Sequence, residues 1–215
     1  MHDTPQQLEK PRLADPLWQM VAVAVVAAGW SLYRPAEYFT WLFEITLGAA
    51  GILALVLLAP RFRFSALVYR VAALHFVVLA IGAHYTYEKE PLFDWFKTHL
   101  DLSRNYSDRV GHFFQGLTPA LLTREVLLRR SNVRGWLLVL LSLAVPIAFS
   151  ALYEILEWRW VVAFYPDRPE DWLGMQGDPF DSQGDMLMAV FGAIAAVTLL
   201  APLQNRSIAR IEEVP

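Results

Sequence analysis

The feature that most constrains this chain is a series of long apolar blocks that contain almost no charge. Five blocks are long enough, or nearly so, to cross the roughly 30 Å hydrocarbon core of a bilayer. They are residues 17–33, 39–59, 66–85, 135–158 and 185–203. Helices of soluble proteins instead carry short apolar stripes that recur with the helical period. The sequence therefore predicts an all-α fold, a polytopic helical bundle in a membrane.

A weaker segment, at about 108–130, lies between the third and fourth blocks. Its middle, 113–128, is mostly apolar, whereas both of its ends carry charged side chains. Counting this segment gives about six transmembrane helices in a single domain over residues 17–203. Residues 1–16 are predicted to form a flexible cytosolic tail, and residues 204–215 a second cytosolic tail. The first block follows a polar segment with three prolines, which does not fit a cleaved signal peptide.

Lysine and arginine are distributed unevenly between the two predicted sides of the membrane. With six helices, the side that holds both termini has eleven basic and six acidic residues, a net charge of +5. The other side has seven basic and fourteen acidic residues, a net charge of −7. Because cytosolic loops carry the excess of basic residues, both termini are predicted to be cytosolic. The acidic side is then expected to face away from the cytosol.

Composition narrows the range of functions further. The chain has 18% charged residues, a net charge of −3 and no cysteine. This charge provides no basic field for nucleic acid, and the absence of cysteine excludes disulfides and thiolate chemistry. The sequence also contains no nucleophile elbow, no phosphate-binding loop and no HExxH zinc motif. Membrane lipids are expected partners, and nucleic acids are not.

Eight potential ligand residues are predicted to gather at the acidic, non-cytosolic face, on four helix ends and one loop. They are His84, Asp108, His112, Glu154, Glu157, Asp178, Asp181 and Asp185. Residues 108 and 112 are spaced i, i+4, and residues 154 and 157 are spaced i, i+3, so each pair shares a helix face. Crowded carboxylates repel one another, and a bound cation removes this repulsion. The pattern predicts a functional polar site.

One interpretation of this cluster is a divalent metal site. Imidazole nitrogens and carboxylate oxygens suit Zn²⁺, Mn²⁺, Fe²⁺ or Mg²⁺. The expected ligands are His84, Asp108, His112, Asp178, Asp181 and Asp185. The alternative is a hydrated acidic mouth whose charges pair with Arg109 and Arg159. Each residue alone also has a simpler explanation, because carboxylates at helix ends commonly cap a helix or favour its dipole.

Four segments of the chain carry a family resemblance. They are 81–87 (IGAHYTY), 105–114 (NYSDRVGHFF), 153–158 (YEILEW) and 174–186 (GMQGDPFDSQGDM), the last continuing to Gly192-Ala193. In this order they resemble the YjdF-like inner-membrane proteins, a bacterial family of unknown function, with Ser107 in place of the usual tyrosine. The resemblance implies a multi-pass protein of the bacterial inner membrane.

A more distant likeness is to the VanZ-like membrane proteins. It rests on the order of a few polar residues along the chain: Asp108-Arg109, His112, Glu154 or Glu157, and Asp185 at the head of a last helix with Gly192-Ala193. This likeness implies a shared polar site and supplies no reaction.

Three function hypotheses follow. The first is a metal-dependent enzyme acting on a lipid or cell-envelope substrate, with Glu154 or Glu157 as general base and Arg109 holding a phosphate or another anionic head group. The second is a transporter of a small solute or ion, since intramembrane carboxylates and histidines mark such paths. The third is a non-catalytic membrane scaffold or assembly factor that uses small residues such as Gly48 and Gly192 for close helix contact, although the same residues equally suit packing within the chain. A homo-oligomer is a further candidate assembly. The amphipathic loop 86–107 is expected to contain an interfacial helix.

Overall fold

Eight α-helices make up the described part of the chain, residues 15–167 and 176–212 of the computed structural model. In chain order they are α1 Pro16–Leu32, α2 Tyr38–Leu58, α3 Ala66–Tyr85, α4 Pro91–His99, α5 Ser107–Arg130, α6 Gly135–Phe164, α7 Asp181–Thr198 and α8 Ala201–Glu212. Every regular element in these ranges is helical, which confirms the all-α prediction. Most of the predicted N-terminal tail (1–14), the last residues (213–215) and residues 174–175 of the fourth resemblance segment lie outside the described residues.

Helices α2, α3 and α6 are each long and apolar enough to cross a membrane. Only 17% of the most apolar stretch of α2 and 22% of that of α6 is buried inside the protein, so their apolar side chains mostly face outward, as in lipid-facing helices. Helices α7 and α8 are long and apolar enough to cross a membrane only when they are taken together, as a pair bent by 57°. Helix α1 is apolar but has only 17 residues, which makes it shorter than the three candidate spans. Length and composition therefore support three spans, or four with the bent pair. The six-helix count and the cytosolic termini remain predictions.

Two helix boundaries differ from the sequence prediction, and the first of these differences affects the site. Helix α7 begins at Asp181, four residues before the predicted start, so Asp181 and Asp185 lie on consecutive turns of one helix. Helical structure also continues beyond residue 203, where the predicted domain ended. Helix α8 buries Gln204 and Ile208, so the segment up to Glu212 is a packed helix rather than a free tail.

Short connections place the helix ends at two opposite faces of the bundle. We call the face where α2, α5 and α7 begin and α1, α3 and α6 end the site face. At the opposite face, the buried Glu125 carboxylate accepts hydrogen bonds from the Ser65 backbone N–H and hydroxyl, both at 2.6 Å. The Gln204 side chain donates to the Leu121 carbonyl at 2.7 Å, which fastens α8 to α5. These contacts fix the register of α3, α5 and α8.

Helix α5 is the central helix, and it lies in backbone contact with α7. A Cβ atom added to Gly116 would lie 1.8 Å from the Ala189 carbonyl oxygen, and one added to Gly192 would lie 1.9 Å from the Phe113 carbonyl oxygen. Only glycine permits such an approach. Gly192, one of the small residues of the scaffold hypothesis, therefore serves an internal helix contact, whereas Gly48 packs against Phe76 and Leu79 of α3. The contact between α5 and α7 also brings the first turns of these two helices side by side.

The connection from α3 to α5 contains the predicted amphipathic helix, α4. Glu90 caps it by accepting a hydrogen bond from the Phe93 backbone N–H at 2.8 Å. Leu92 and Trp95 are exposed on its surface. The helix itself is confirmed, whereas its position on a membrane surface stays a prediction.

Candidate functional site

Two arginines and three aspartates form a buried ion-pair network where α5 and α7 begin. Arg104, whose side chain is 2% exposed, contacts Asp181 and lies 2.5 Å from an oxygen of Asp108. Arg109 donates to an Asp181 carboxylate oxygen at 2.8 Å and contacts Asp185. Buried carboxylates need such partners, because desolvation of an unpaired charge costs several kcal/mol. The network holds the three aspartates in fixed positions.

Gly184 makes room for one member of this network. A Cβ atom added to Gly184 would lie 2.6 Å from an Nη atom of Arg109. The Arg109 guanidinium therefore lies against the first turn of α7, where it also donates to the Asp181 backbone carbonyl at 3.1 Å. The DSQGD segment of the sequence is explained by this packing: two aspartates flank a glycine that lets an arginine reach both.

Behind the network, His112, Glu154 and Asp185 bring three potential metal ligands together from α5, α6 and α7. His112 Nε2 lies 3.5 Å from Asp185 Oδ1, and His112 Nδ1 lies 3.6 Å from Glu154 Oε1. One ligand atom from each residue falls within 4.8 Å of the others. Glu154 is 8% exposed, and its Oε1 atom has no hydrogen-bond partner in residues 15–167 and 176–212. We call these three residues the His–Glu–Asp centre.

Gln115 orients the histidine of this centre. The Gln115 side-chain oxygen lies 2.8 Å from His112 Nδ1, close enough to accept a hydrogen bond from it. A proton on Nδ1 leaves the lone pair of Nε2 directed toward Asp185. Metal-binding histidines in proteins are commonly fixed by such a partner on their second ring nitrogen.

Tyr87 closes the site face of the centre. Two consecutive left-handed residues, Thr86 at φ 59° and Tyr87 at φ 49°, turn the chain back after α3. The Tyr87 ring then fills the space beside Gly82 and Gly111, since a Cβ atom on Gly82 would meet the ring at 2.0 Å. Burial, reinforced by the Glu44 carboxylate, raises the pKa of the Tyr87 phenol well above its ordinary value, so the phenol stays protonated.

A cavity of about 570 Å³ lies beside the centre, between α2, α3, α5 and α6. His112 and Asp185 form part of its wall, as does Glu157. Across the cavity the Tyr153 hydroxyl donates to Glu44 at 3.1 Å, which links α6 to α2. This volume is within the range of sites that bind small molecules.

The structure brings most of the predicted site residues together and leaves others outside. Six lie in the network or the centre: Asp108, Arg109, His112, Glu154, Asp181 and Asp185. Asp178 lies at the outer edge, 37% exposed and 3.7 Å and 3.8 Å from the two arginines. Glu157 lines the cavity one turn from Glu154.

The prediction of His84 as a metal ligand is not supported by its position. Its Nδ1 atom lies 3.0 Å from the Ser31 carbonyl oxygen, and its ring stacks on Trp30 at a centroid distance of 4.7 Å. The end of α3 directs His84 toward α1, whereas the following turn directs Tyr87 toward the centre. The expected role of Arg109 also changes, because its guanidinium is occupied by the chain's own aspartates.

Sequence reasoning missed four residues that the site uses: Arg104, Gln115, Tyr87 and Tyr153. Arg104 precedes the predicted helix; its i, i+4 spacing to Asp108 was an available signal, whereas its contact with Asp181 is long-range. Gln115 follows His112 by three residues, and this i, i+3 spacing on a helix was an available signal. The two tyrosines resemble ordinary interfacial aromatics in sequence.

These features define an integral membrane protein whose helical bundle encloses a polar centre. The chain belongs to the DUF2238 family of predicted membrane proteins, whose profile matches residues 16–206. It is 41% identical, over 175 residues, to the inner membrane protein YjdF of Escherichia coli strain K12, covering 81% of this chain and 83% of that protein. No solved structure matches the chain. The resemblance to YjdF-like proteins and the inner-membrane location are thereby confirmed.

Proposed function

We propose that this protein is a metal-dependent enzyme that acts on a lipid or cell-envelope substrate at the non-cytosolic face of the inner membrane. The observation that carries the proposal is the His–Glu–Asp centre beside a cavity. Three ligand types converge from three helices, and one buried carboxylate oxygen of Glu154 lacks a hydrogen-bond partner among the described residues. Such an oxygen is costly to bury without a proton or a cation.

The spacing of the centre is compatible with a metal ion. With metal–ligand distances of about 2.0–2.2 Å, two donor atoms in tetrahedral coordination lie about 3.3–3.6 Å apart. His112 Nε2 lies 3.5 Å from Asp185 Oδ1, and one ligand atom from each of the three residues falls within 4.8 Å of the others. In the proposal Nε2 binds the ion, because Nδ1 is held by Gln115. Three protein ligands leave a fourth position for water or substrate, as in catalytic zinc sites.

The surrounding residues then have distinct tasks. A metal ion held by His112, Glu154 and Asp185 would supply a Lewis acid for a phosphoryl or acyl oxygen of the substrate and would make a bound water more acidic. Glu157 lines the cavity next to the centre and serves as general base. Arg104 and Arg109 are positioning residues, because they hold Asp181 and Asp185 rather than contact the substrate.

Elemental analysis of detergent-purified protein tests this proposal. We expect about one equivalent of metal in the wild type, and at least tenfold weaker binding of added Zn²⁺ or Mn²⁺ in Glu154→Gln and Asp185→Asn. His84→Asn is the matched control, since His84 lies at the same face outside the centre. Sub-stoichiometric metal in wild-type protein after incubation with Zn²⁺, Mn²⁺, Fe²⁺ and Mg²⁺ would refute the metal site.

A transporter is the second candidate. The observation that favours it is the position of Glu44 and His75, which line the cavity at membrane depth. Proteoliposomes distinguish the two functions. An enzyme turns over a substrate without a gradient, whereas a transporter moves a solute or ion across the bilayer and depends on its gradient.

A further inference from the structure

We propose that the cavity binds one acyl chain of a membrane lipid, which enters sideways from the bilayer and places its head group at the His–Glu–Asp centre. This inference rests on the proposed function and names its substrate class. It depends on the composition of the cavity wall, on the direction in which the cavity opens and on its length.

The wall of the cavity changes from polar to apolar along its length. Near the site face it is formed by ionisable groups, among them Lys89, Asp108 and Glu157. Farther from the site face it is formed by Leu55, Leu122 and other aliphatic and aromatic side chains of α2, α3, α5 and α6. A lipid has the same division, with a charged head group joined to a hydrocarbon chain. A small polar solute would leave the apolar half unfilled.

The apolar half of the cavity opens sideways between α2 and α6. Leu47 on α2 and Val145 and Phe149 on α6 line the cavity and are also 36%, 46% and 40% exposed. Helices α2 and α6 meet nearer the site face through the stacked rings of Phe39 and Trp160, at a centroid distance of 4.7 Å. The gap lies between α2 and α6, farther from the site face than this ring contact. Because both helices are apolar enough to span a membrane, the gap faces lipid.

The length of the cavity matches one leaflet. Its wall on α5 extends from Asp108 to Leu122, which at a rise of 1.5 Å per residue is about 21 Å. Half of a hydrocarbon core about 30 Å thick is roughly 15 Å. The cavity is therefore long enough for a chain that reaches from the head-group region to the bilayer centre.

Gly51 provides a variant that fills the cavity without disturbing the protein. Gly51 lines the cavity, and a Cβ atom added there would meet nothing within 4 Å. Gly51→Leu therefore places a side chain in the space proposed for the lipid chain. Gly29 on α1 also has nothing within 4 Å and does not line this cavity, so Gly29→Leu is the matched control.

The experiment uses full-length protein in vesicles of phosphatidylethanolamine and phosphatidylglycerol. A phosphatidylglycerol with a diazirine in one acyl chain is photolysed, and labelled peptides are identified by mass spectrometry. Segment 115–122 of α5 reports on the cavity, because its residues are buried or half-buried and four of them line the cavity. We expect label there in the wild type and in Gly29→Leu, and at least fivefold less label in Gly51→Leu.

Two outcomes would overturn the inference: no label on 115–122 in wild-type protein whose outer helices are labelled, or unchanged label in Gly51→Leu. Metal content is measured on the same samples. Loss of metal from the wild type refutes the proposed function, whereas retained metal without label on 115–122 refutes the lipid site alone. Thermal melting of both glycine variants verifies that each is folded.

Discussion

At the scale of single residues, the site depends on arginines that satisfy buried aspartates. Sequence reasoning identified the acidic residues, because carboxylates near the predicted membrane face stand out in an apolar chain. It could not identify Arg104 as the partner of Asp181. That assignment depends on how the segment before α5 folds back over the start of α7, a long-range contact between residues 77 positions apart.

We expect Arg104→Gln to destabilise the protein strongly. Removal of the Arg104 guanidinium leaves the buried Asp108 and Asp181 carboxylates with one arginine fewer. The free energy of unfolding should fall by about 3–5 kcal/mol. Arg63→Gln is the control, since Arg63 pairs with Asp15 while 48% exposed and contributes about 0–1 kcal/mol. Denaturation in detergent measures the stability of both variants. Equal losses of stability in the two variants would contradict a stabilising role for the buried ion-pair network.

We expect Gln115→Leu to weaken metal binding about 10–100-fold while the protein stays folded, because the partner that fixes the His112 ring is lost. Thr118→Val is the control on the same helix, since its hydroxyl has no hydrogen-bond partner within the described ranges. Titration with Zn²⁺ measures the affinity. Unchanged affinity in Gln115→Leu would show that Gln115 does not orient a metal ligand.

At the scale of helices, the predicted bounds are accurate where the apolar blocks are long and uninterrupted. The predicted third block and α3 have the same bounds, 66–85. Helix α5 was harder to place, because a helix surrounded by other helices does not need an apolar surface on every side. The predicted block begins at Asp185, because Asp181, Ser182 and Gln183 interrupt the apolar pattern. An earlier start was an open alternative that gives Asp181 and Asp185 an i, i+4 spacing, and the fold has this earlier start, with both aspartates held by arginines.

We expect Gly116→Ala to disrupt the bundle, since its Cβ would lie 1.8 Å from the Ala189 carbonyl oxygen and would force α5 away from α7. The cost should exceed the roughly 1–3 kcal/mol typical of overpacking. Gly51→Ala, with open space around its Cβ, should be neutral or stabilising by up to about 1 kcal/mol. Thermal denaturation of the two alanine variants tests this; similar melting temperatures would contradict the close α5–α7 contact.

At the scale of the whole molecule, the uneven distribution of basic and acidic residues predicts that the site face is non-cytosolic. The proposed function requires this orientation. The likeness to VanZ-like proteins also stays a prediction at this scale, since it rests on a few residues in a shared order. The cavity could not be predicted from the sequence, because its wall combines residues from five helices whose relative rotation is set by packing.

The orientation is tested with single cysteines, which is straightforward because the chain has none. Asp101→Cys lies in the exposed connection at the site face, and Asn132→Cys lies in the exposed turn between α5 and α6. In intact cells permeable only at the outer membrane, a membrane-impermeant maleimide should label position 101. Position 132 should react only after lysis. The reverse pattern would place the centre on the cytosolic side.

The gap between α2 and α6 has a kinetic consequence. A molecule that enters through it arrives by diffusion within the plane of the bilayer, so its supply depends on its mole fraction among the surrounding lipids. Adding inert lipid to the vesicles should lower occupancy of the cavity even when the amounts of protein and ligand per volume stay constant. The protein would then respond to the composition of its membrane rather than to the concentration of anything dissolved beside it.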